Sequence, residues 1–219
     1  AFHHRRVNRF RWLRIYRIVD LMHDRWVSQN KTYRAEATGG YLWSPKTTSD
    51  QKLNPRAECM TEIKPFDIIF SYVGSKIKSV GVAISEAYTS SKPVEFGNQG
   101  QDWNEEGWRV DVDYREVPVE ASPKDTWDQI KALLPSKYSP LNKDGNGVQA
   151  YLFKISEPLA QHLFMITGTG DIELPVISLD KIKYREQEQE IISNASLMET
   201  QKAQLVQARR GQGAFRNRV

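Results

Sequence analysis

The sequence predicts an α+β fold, an open β-barrel of about six short strands with flanking short helices and a C-terminal helical linker. Three observations predict it. Short apolar or alternating runs are separated by Gly, Pro and Asn turns at close spacing. The stretch WRVDVDYREV sets Val110, Val112 and Tyr114 against Arg109, Asp111, Asp113 and Arg115, the period of a half-buried strand. Only two stretches between residues 120 and 170 carry apolar residues at helical spacing, and each is bounded by Pro or Gly.

The elements follow in order. RWVSQ (25–29) reads as a short strand entering a polar turn. GGYLWS (39–44) is a second strand, preceded by Gly39-Gly40 and closed by Pro45. TTSDQKLNP is a polar loop. Pro65-Phe66-Asp67 turns the chain into the apolar run Ile68 to Val73, and Gly74-Ser75 returns it through Ile77 to Ala87. In that return strand alternation predicts Ile77, Ser79, Gly81 and Ala83 on one face and Val80, Val82 and Ile84 on the other. SPKDTWDQIKALLP reads as a helix with Trp127, Ile130, Leu133 and Leu134 on its buried stripe. A Gly-rich loop then leads into the strand YLFKIS, and SEPLAQHLFMITG is a short helix ended by Gly168.

Charge divides the chain. Residues 1–25 carry seven Arg against two Asp, residues 26–180 sixteen Lys/Arg against twenty-one Asp/Glu, and residues 181–219 eight against four. The ends are basic and the middle is mildly acidic, so a polyanion partner has to be gripped by local patches and the ends. Residues 1–21 are a basic N-terminal extension, either a helix that lies on phosphate or non-native sequence ahead of Met22. Residues 22–180 form the main domain. Residues 181–219 are Gln/Glu-rich with a patchy apolar stripe, and read as a helical linker followed by a basic, mobile tail. The stripe is too irregular for a coiled coil, although a homodimer through this region stays open. No apolar run of about 18 residues offers a membrane span, and no membrane partner is expected. The single Cys59 has no disulfide partner, which with no secretion signal points to a reducing cytoplasm.

The residues of catalysis are scarce. Beyond His3 and His4 only His23 and His162 remain, so no zinc site can be assembled. His162 lies in a helical stretch and reads as a structural histidine. Gly145-Asn146-Gly147 and Gly168-Thr169-Gly170 lack the strand–helix frame of a phosphate loop. Asp111 and Asp113 lie two apart on a strand and read as a solvated face, and Cys59 reads as a packing residue. No catalytic residue and no cofactor are expected of this chain, which leaves a binding module.

Aromatics supply the positive signal. Trp26, Tyr33, Trp43, Tyr72 and Trp103 are spread over strands and loops beside Asn and Ser. Such a set can stack on a flat ring while amides and hydroxyls read its edge.

RWVSQNKTY, GGYLWSPK, IKPFDIIFSYVGSKIKSVGVAISEAY and GWRVDVDY, in that order, resemble the EVE domain of the PUA/YTH superfamily. The resemblance covers about residues 24–166. Within the family they look most like the N-terminal modules of modification-dependent HNH restriction endonucleases, and QLVQARRGQGAFRNRV looks like the lead-in to an HNH nuclease domain. The resemblance implies a PUA/YTH-like open barrel whose mouth holds one modified base swung out of its strand. It implies the specificity module of a type IV-like restriction enzyme of a prokaryotic cytoplasm, directing a nuclease to foreign double-stranded DNA that carries 5-methylcytosine or 5-hydroxymethylcytosine. The divalent metal would belong to the nuclease domain, which offers a second place for dimer formation.

Residue by residue, Trp43 falls on one cage wall and Ser44 beside the base edge. Trp103 falls near the second wall, with Trp108 as competitor. Asn30, Ser28 and Gln29 fall in the block of polar contacts, and Tyr33 and Tyr72 are third walls. Lys31, Arg34, Lys46, Lys76 and Lys78 sit where they reach DNA phosphates. Trp26 and Trp127 belong to the core. On this basis Trp43→Ala is expected to abolish preference for modified DNA and leave the fold intact. An N6-methyladenine reader, an RNA-binding PUA/YTH-type module, and a small-molecule or protein-interaction pocket are the alternatives.

Overall fold

A computed structural model describes residues 23–47, 55–170 and 174–216. The basic extension 1–21 lies outside the described residues. The chain divides into two compact units, residues 1–178 and 179–219.

The first unit is built on one seven-stranded sheet. Its strands are β1 (Asp24–Ser28), β2 (Tyr41–Pro45), β3 (Ile68–Val73), β4 (Lys76–Ala83), β5 (Tyr88–Ser91), β6 (Glu106–Ala121) and β7 (Leu152–Ile155). The path runs β2-β6-β4-β3-β1-β7, with β5 also on β6. β1 and β3 are parallel and every other pairing is antiparallel. Between the strands lie α1 (Tyr33–Gly39), α2 (Pro55–Glu58), α3 (Trp127–Ile130) and α4 (Glu157–Thr167), with 3-10 turns at Cys59–Glu62, Val94–Phe96 and Pro123–Thr126. The α+β class and the open, curled sheet agree with the sequence reading.

Strand alternation divides the core into two clusters. On the inner face Val27, Leu42, Ile69, Ala83, Val110, Val112 and Leu152 meet one another, with Met60 and Ile63 from the 3-10 turn filling the end. Six strands contribute to that one cluster, which is possible only because the sheet curls around it. The ends of the path are tied by Tyr151, just before β7: its hydroxyl donates to Glu36, and the Trp43 amide lies 3.2 Å from it. On the outer face Trp26, Phe70, Val80, Val82 and Phe153 are covered by Ile130 of α3 and Leu159, Leu163 and Phe164 of α4. The α4 ends are set locally: Ser156 Oγ accepts from the Leu159 amide, and Gly168 closes the helix at φ +69°. Trp26 and Trp127 are core residues, as expected.

Several expectations are corrected. The polar turn after RWVSQ forms at residues 30–32 but leads into the unexpected helix α1, and a seventh strand forms at Tyr88–Ser91. The helix over SPKDTWDQIKALLP shrinks to a 3-10 turn and the four-residue α3. A bulge between Ile77 and Ser79 reverses the alternation of β4, so Ile77 joins Val80 and Val82 on the helix-covered face. Asp111 and Asp113 are buried, not solvated: Arg109 and the Tyr88 hydroxyl contact Asp111, and Arg115 pairs with Asp113. His162 is a structural residue whose Nε2 lies 2.8 Å from Thr126 Oγ1, and burial lowers its pKa.

The second unit holds most of α5 (Leu174–Ser193) and α6 (Glu199–Arg216), so helical backbone continues through the stretch read as a tail. Among the described residues no helix is long and apolar enough to cross a membrane.

Candidate base-binding site

Tyr41 and Trp43 alternate with Leu42 and Ser44 along β2, so the two rings leave the inner core and stand on the outer face. There they meet a different cover from that of Trp26. The Trp43 indole lies across β6 at Gly107, where a Cβ would come within 2.4 Å of the ring. Only glycine lets the ring lie so close to the strand. The indole Nε1 donates to the Ser90 carbonyl of β5 at 3.3 Å. Trp103 covers the other face, with ring centroids 6.3 Å apart and an interplanar angle of 24°. Phe96 stands edge-on to both, at 5.7 Å from Trp43 and 6.1 Å from Trp103.

Trp43 is only 1% exposed, whereas its cover Trp103 is 39% exposed. Trp103 comes from a loop, and its ring folds over Gly100 so closely that a Cβ there would lie 2.2 Å from the indole. Both Gly97 and Gly100 take positive φ.

Beneath the aromatics is a buried acid. Glu36 of α1 is 0% exposed, and its Oε1 accepts from the Trp43 amide at 2.9 Å and from the Tyr151 hydroxyl. Its Oε2 accepts from Thr32 Oγ1 at 2.7 Å and Gln29 Nε2 at 3.0 Å. Burial pushes its pKa up, and the four hydrogen bonds oppose that shift. Burial and the Glu36 charge push the Tyr114 and Tyr151 hydroxyls up as well, so both stay protonated, Tyr151 donating to Glu36 and Tyr114 accepting from Gln29 Nε2. One carboxyl thus fixes β1, α1, the β7 approach and the backbone of Trp43.

Of the residues singled out from sequence, Trp43 and Trp103 meet. Trp108 does not join them: it alternates to the inner side, where its Nε1 donates to Glu58 and Lys46 lies 4.2 Å over its ring. Ser44 is buried on the inner side of β2, away from the Trp43 ring. Gln29 serves Glu36 and Tyr114, and Asn30 Oδ1 accepts from the Gly74 amide. The Ser28 hydroxyl is buried with no hydrogen-bond partner among the described residues. Tyr33 opens α1 and is half-buried. Tyr72 is a correction: it sits in the helix-covered core, 4.7 Å from the Trp26 ring, and cannot wall the same site.

Two of the lysines expected at phosphates have partners within the fold. Lys46 is engaged by Glu106, Thr89 and the Trp108 ring, and Lys78 pairs with Glu120. Lys31, Arg34 and Lys76 are exposed and make no ion pair among the described residues. Sequence reasoning missed Glu36 and Phe96. For Phe96 the signal is an aromatic directly before the glycine-punctuated GNQGQDW loop that carries Trp103.

No family model matches the chain, and no curated protein matches it. Solved structures do resemble it. The Pho92 YTH domain in complex with m6A aligns over 71% of this chain and 90% of its own, at 10% identity and TM-score 0.45. The YTH domain of Zygosaccharomyces rouxii MRB1, in complex with N6-methyladenosine RNA, aligns over 70% and 89%, at 9% identity and TM-score 0.41. The ASCH protein of Zymomonas mobilis aligns over 66% and 96%, at 10% identity and TM-score 0.40.

Proposed function

We propose that residues 22–180 read modified nucleic acid by holding one extruded base between Trp43 and Trp103, with Phe96 closing the end of the slot. The observation that carries this reading is a buried indole covered on one face by a second, half-exposed indole on a glycine loop. A ring held between two aromatic faces needs them about 7 Å apart, twice the ~3.5 Å contact distance of carbon atoms. Trp103 covers the Trp43 face, so entry of a base requires an outward movement of Trp103 while Trp43 stays fixed.

The energetics are adequate. Extruding a base costs a few kcal/mol, and each aromatic wall returns about 1–3 kcal/mol. A methyl group adds only about 0.8 kcal/mol by burial, so discrimination depends on a close fit. The finer reading rests on the sequence resemblance: the ligand is double-stranded DNA carrying 5-methylcytosine or 5-hydroxymethylcytosine, and the chain is the specificity part of an HNH restriction endonuclease. The deficit of positive charge across residues 26–180 fits a reader that relies on few phosphate contacts.

Binding of the full chain to short duplexes that differ only in cytosine, 5-methylcytosine, 5-hydroxymethylcytosine or N6-methyladenine, at one salt concentration, tests this. Tighter binding to a 5-substituted cytosine is expected. Preference for N6-methyladenine, or for an RNA counterpart, would replace the finer reading and keep the slot. Equal or absent binding throughout would remove both.

A further inference from the structure

Beside the slot runs an open groove of about 380 Å3, lined by Lys31, Arg34, Thr38 and Gly39 from the α1 side and by Glu95, Phe96 and Gln99 from the Trp103 side. Phe96 is shared: one part of it closes the tryptophan slot and another walls the groove. Two cations without ion pairs among the described residues therefore lie next to a carboxylate and an amide, within a space of ligand size.

We propose that this groove is a subsite for the nucleotide adjacent to the captured base, with Lys31 and Arg34 on its phosphate and Glu95 selecting an amino-bearing base. The proposal rests on the reading of the tryptophan slot as a base site. Its chemistry follows from the donor inventory. Lys and Arg have only donors to offer, which suits phosphate oxygens, whereas Glu95 can only accept. Adenine, cytosine and guanine each present an exocyclic amine to such an acceptor. Thymine and uracil present carbonyl oxygens on both sides of a single ring N–H, and these oxygens repel a carboxylate. Gln99 supplies further hydrogen bonds to base edge or sugar.

The test uses the full chain and the tightest-binding modified oligonucleotide. Each neighbour of the modified base is varied through all four bases, in the parent and in Glu95→Gln. On one side thymine is expected to bind about tenfold more weakly than the amino-bearing bases, the size of one good base-edge contact. Glu95→Gln should flatten that preference. Lys31→Ala with Arg34→Ala should lower affinity for every sequence alike and reduce the salt slope by about two. If flanking bases are read equally, or Glu95→Gln changes nothing while Trp103→Ala still abolishes preference, the groove subsite is wrong and the slot stands. If Trp103→Ala has no effect either, both are wrong.

Discussion

Trp26 on β1 and Trp43 on β2 both stand on the outer side of the curled sheet, and both are buried. What covers them differs. Trp26 lies under Tyr72 and a core that includes Leu159, Leu163 and Phe164 of α4, a helix with side chains interlocked along its length. Trp43 lies under one indole from a loop with two positive-φ glycines. A helix in a core leaves only with much of the fold, whereas a loop with few buried contacts can open locally. The same residue type is therefore structural on one strand and available on another. The cover decides which.

This contrast can be broken most severely at Trp26. Trp26→Ala should cost about 3–5 kcal/mol, the range for a buried aromatic, read as a lower urea midpoint. Trp43→Ala belongs to the same class, because the ring is 1% exposed and hydrogen-bonded to Ser90. It therefore cannot leave the fold untouched, and the expectation from sequence is revised. Gly107→Ala comes next: its Cβ would meet the Trp43 ring at 2.4 Å and the Ser44 carbonyl at 2.6 Å. A cost of about 1–3 kcal/mol is expected, the range for overpacking, with base binding reduced as Trp43 tilts. Trp103→Ala should cost less stability than Trp26→Ala, about 1–2 kcal/mol, because the ring is 39% exposed. The ratio of stability loss to binding loss thus reverses between Trp26 and Trp103.

A smaller effect sharpens the comparison through pH. Burial raises the Glu36 pKa above its ordinary value of 4.5, so the folded state holds its proton more tightly than the unfolded chain. The stability linked to Glu36 is fully present below about pH 4.5 and is lost as pH rises through the folded pKa. Glu36→Gln should remove this falling slope from urea midpoints measured across that window. Trp103→Ala, which removes none of the four donors to Glu36, should leave the slope in place.

Much of the frame was legible because it is local. β1, β2, β3, β6, β7 and α4 declare themselves by period two, by Gly and Pro boundaries, or by the Ser156 and Gly168 caps. What failed depends on partners distant in sequence. α1 is a single polar turn and a half, anchored through Glu36 by Gln29, Tyr151 and the Trp43 amide rather than by an apolar stripe of its own. Asp111 and Asp113 read as solvated because alternation shows the face but not the Arg109, Tyr88 and Arg115 that cover it. Tyr72 looked like a cage wall until α4 was placed on its side of the sheet. The bulge at Ile77 carries no sequence signal that alternation can use.

In the site, Trp43 and Trp103 were legible from the residues only as two of five aromatics in polar contexts, and their pairing was what the family resemblance implied. The choice of Trp103 over Trp108 was not legible. Trp108 lies inside β6, where alternation turns it to the inner side, and Trp103 lies outside any strand. Lys46 and Lys78 looked available for phosphate, but Glu106 and Glu120 are brought to them only by the sheet register.

The central claim is that the cover over Trp43, and not the core around Trp26, binds the base. The most direct measurement is the affinity ratio for modified against unmodified oligonucleotide, in the parent chain and in Trp103→Ala, with unfolding midpoints taken on the same preparations. In Trp103→Ala the ratio should fall toward one, with a midpoint shift well below that of Trp26→Ala. An unchanged ratio, or a loss of binding that only tracks a loss of folding, would contradict it.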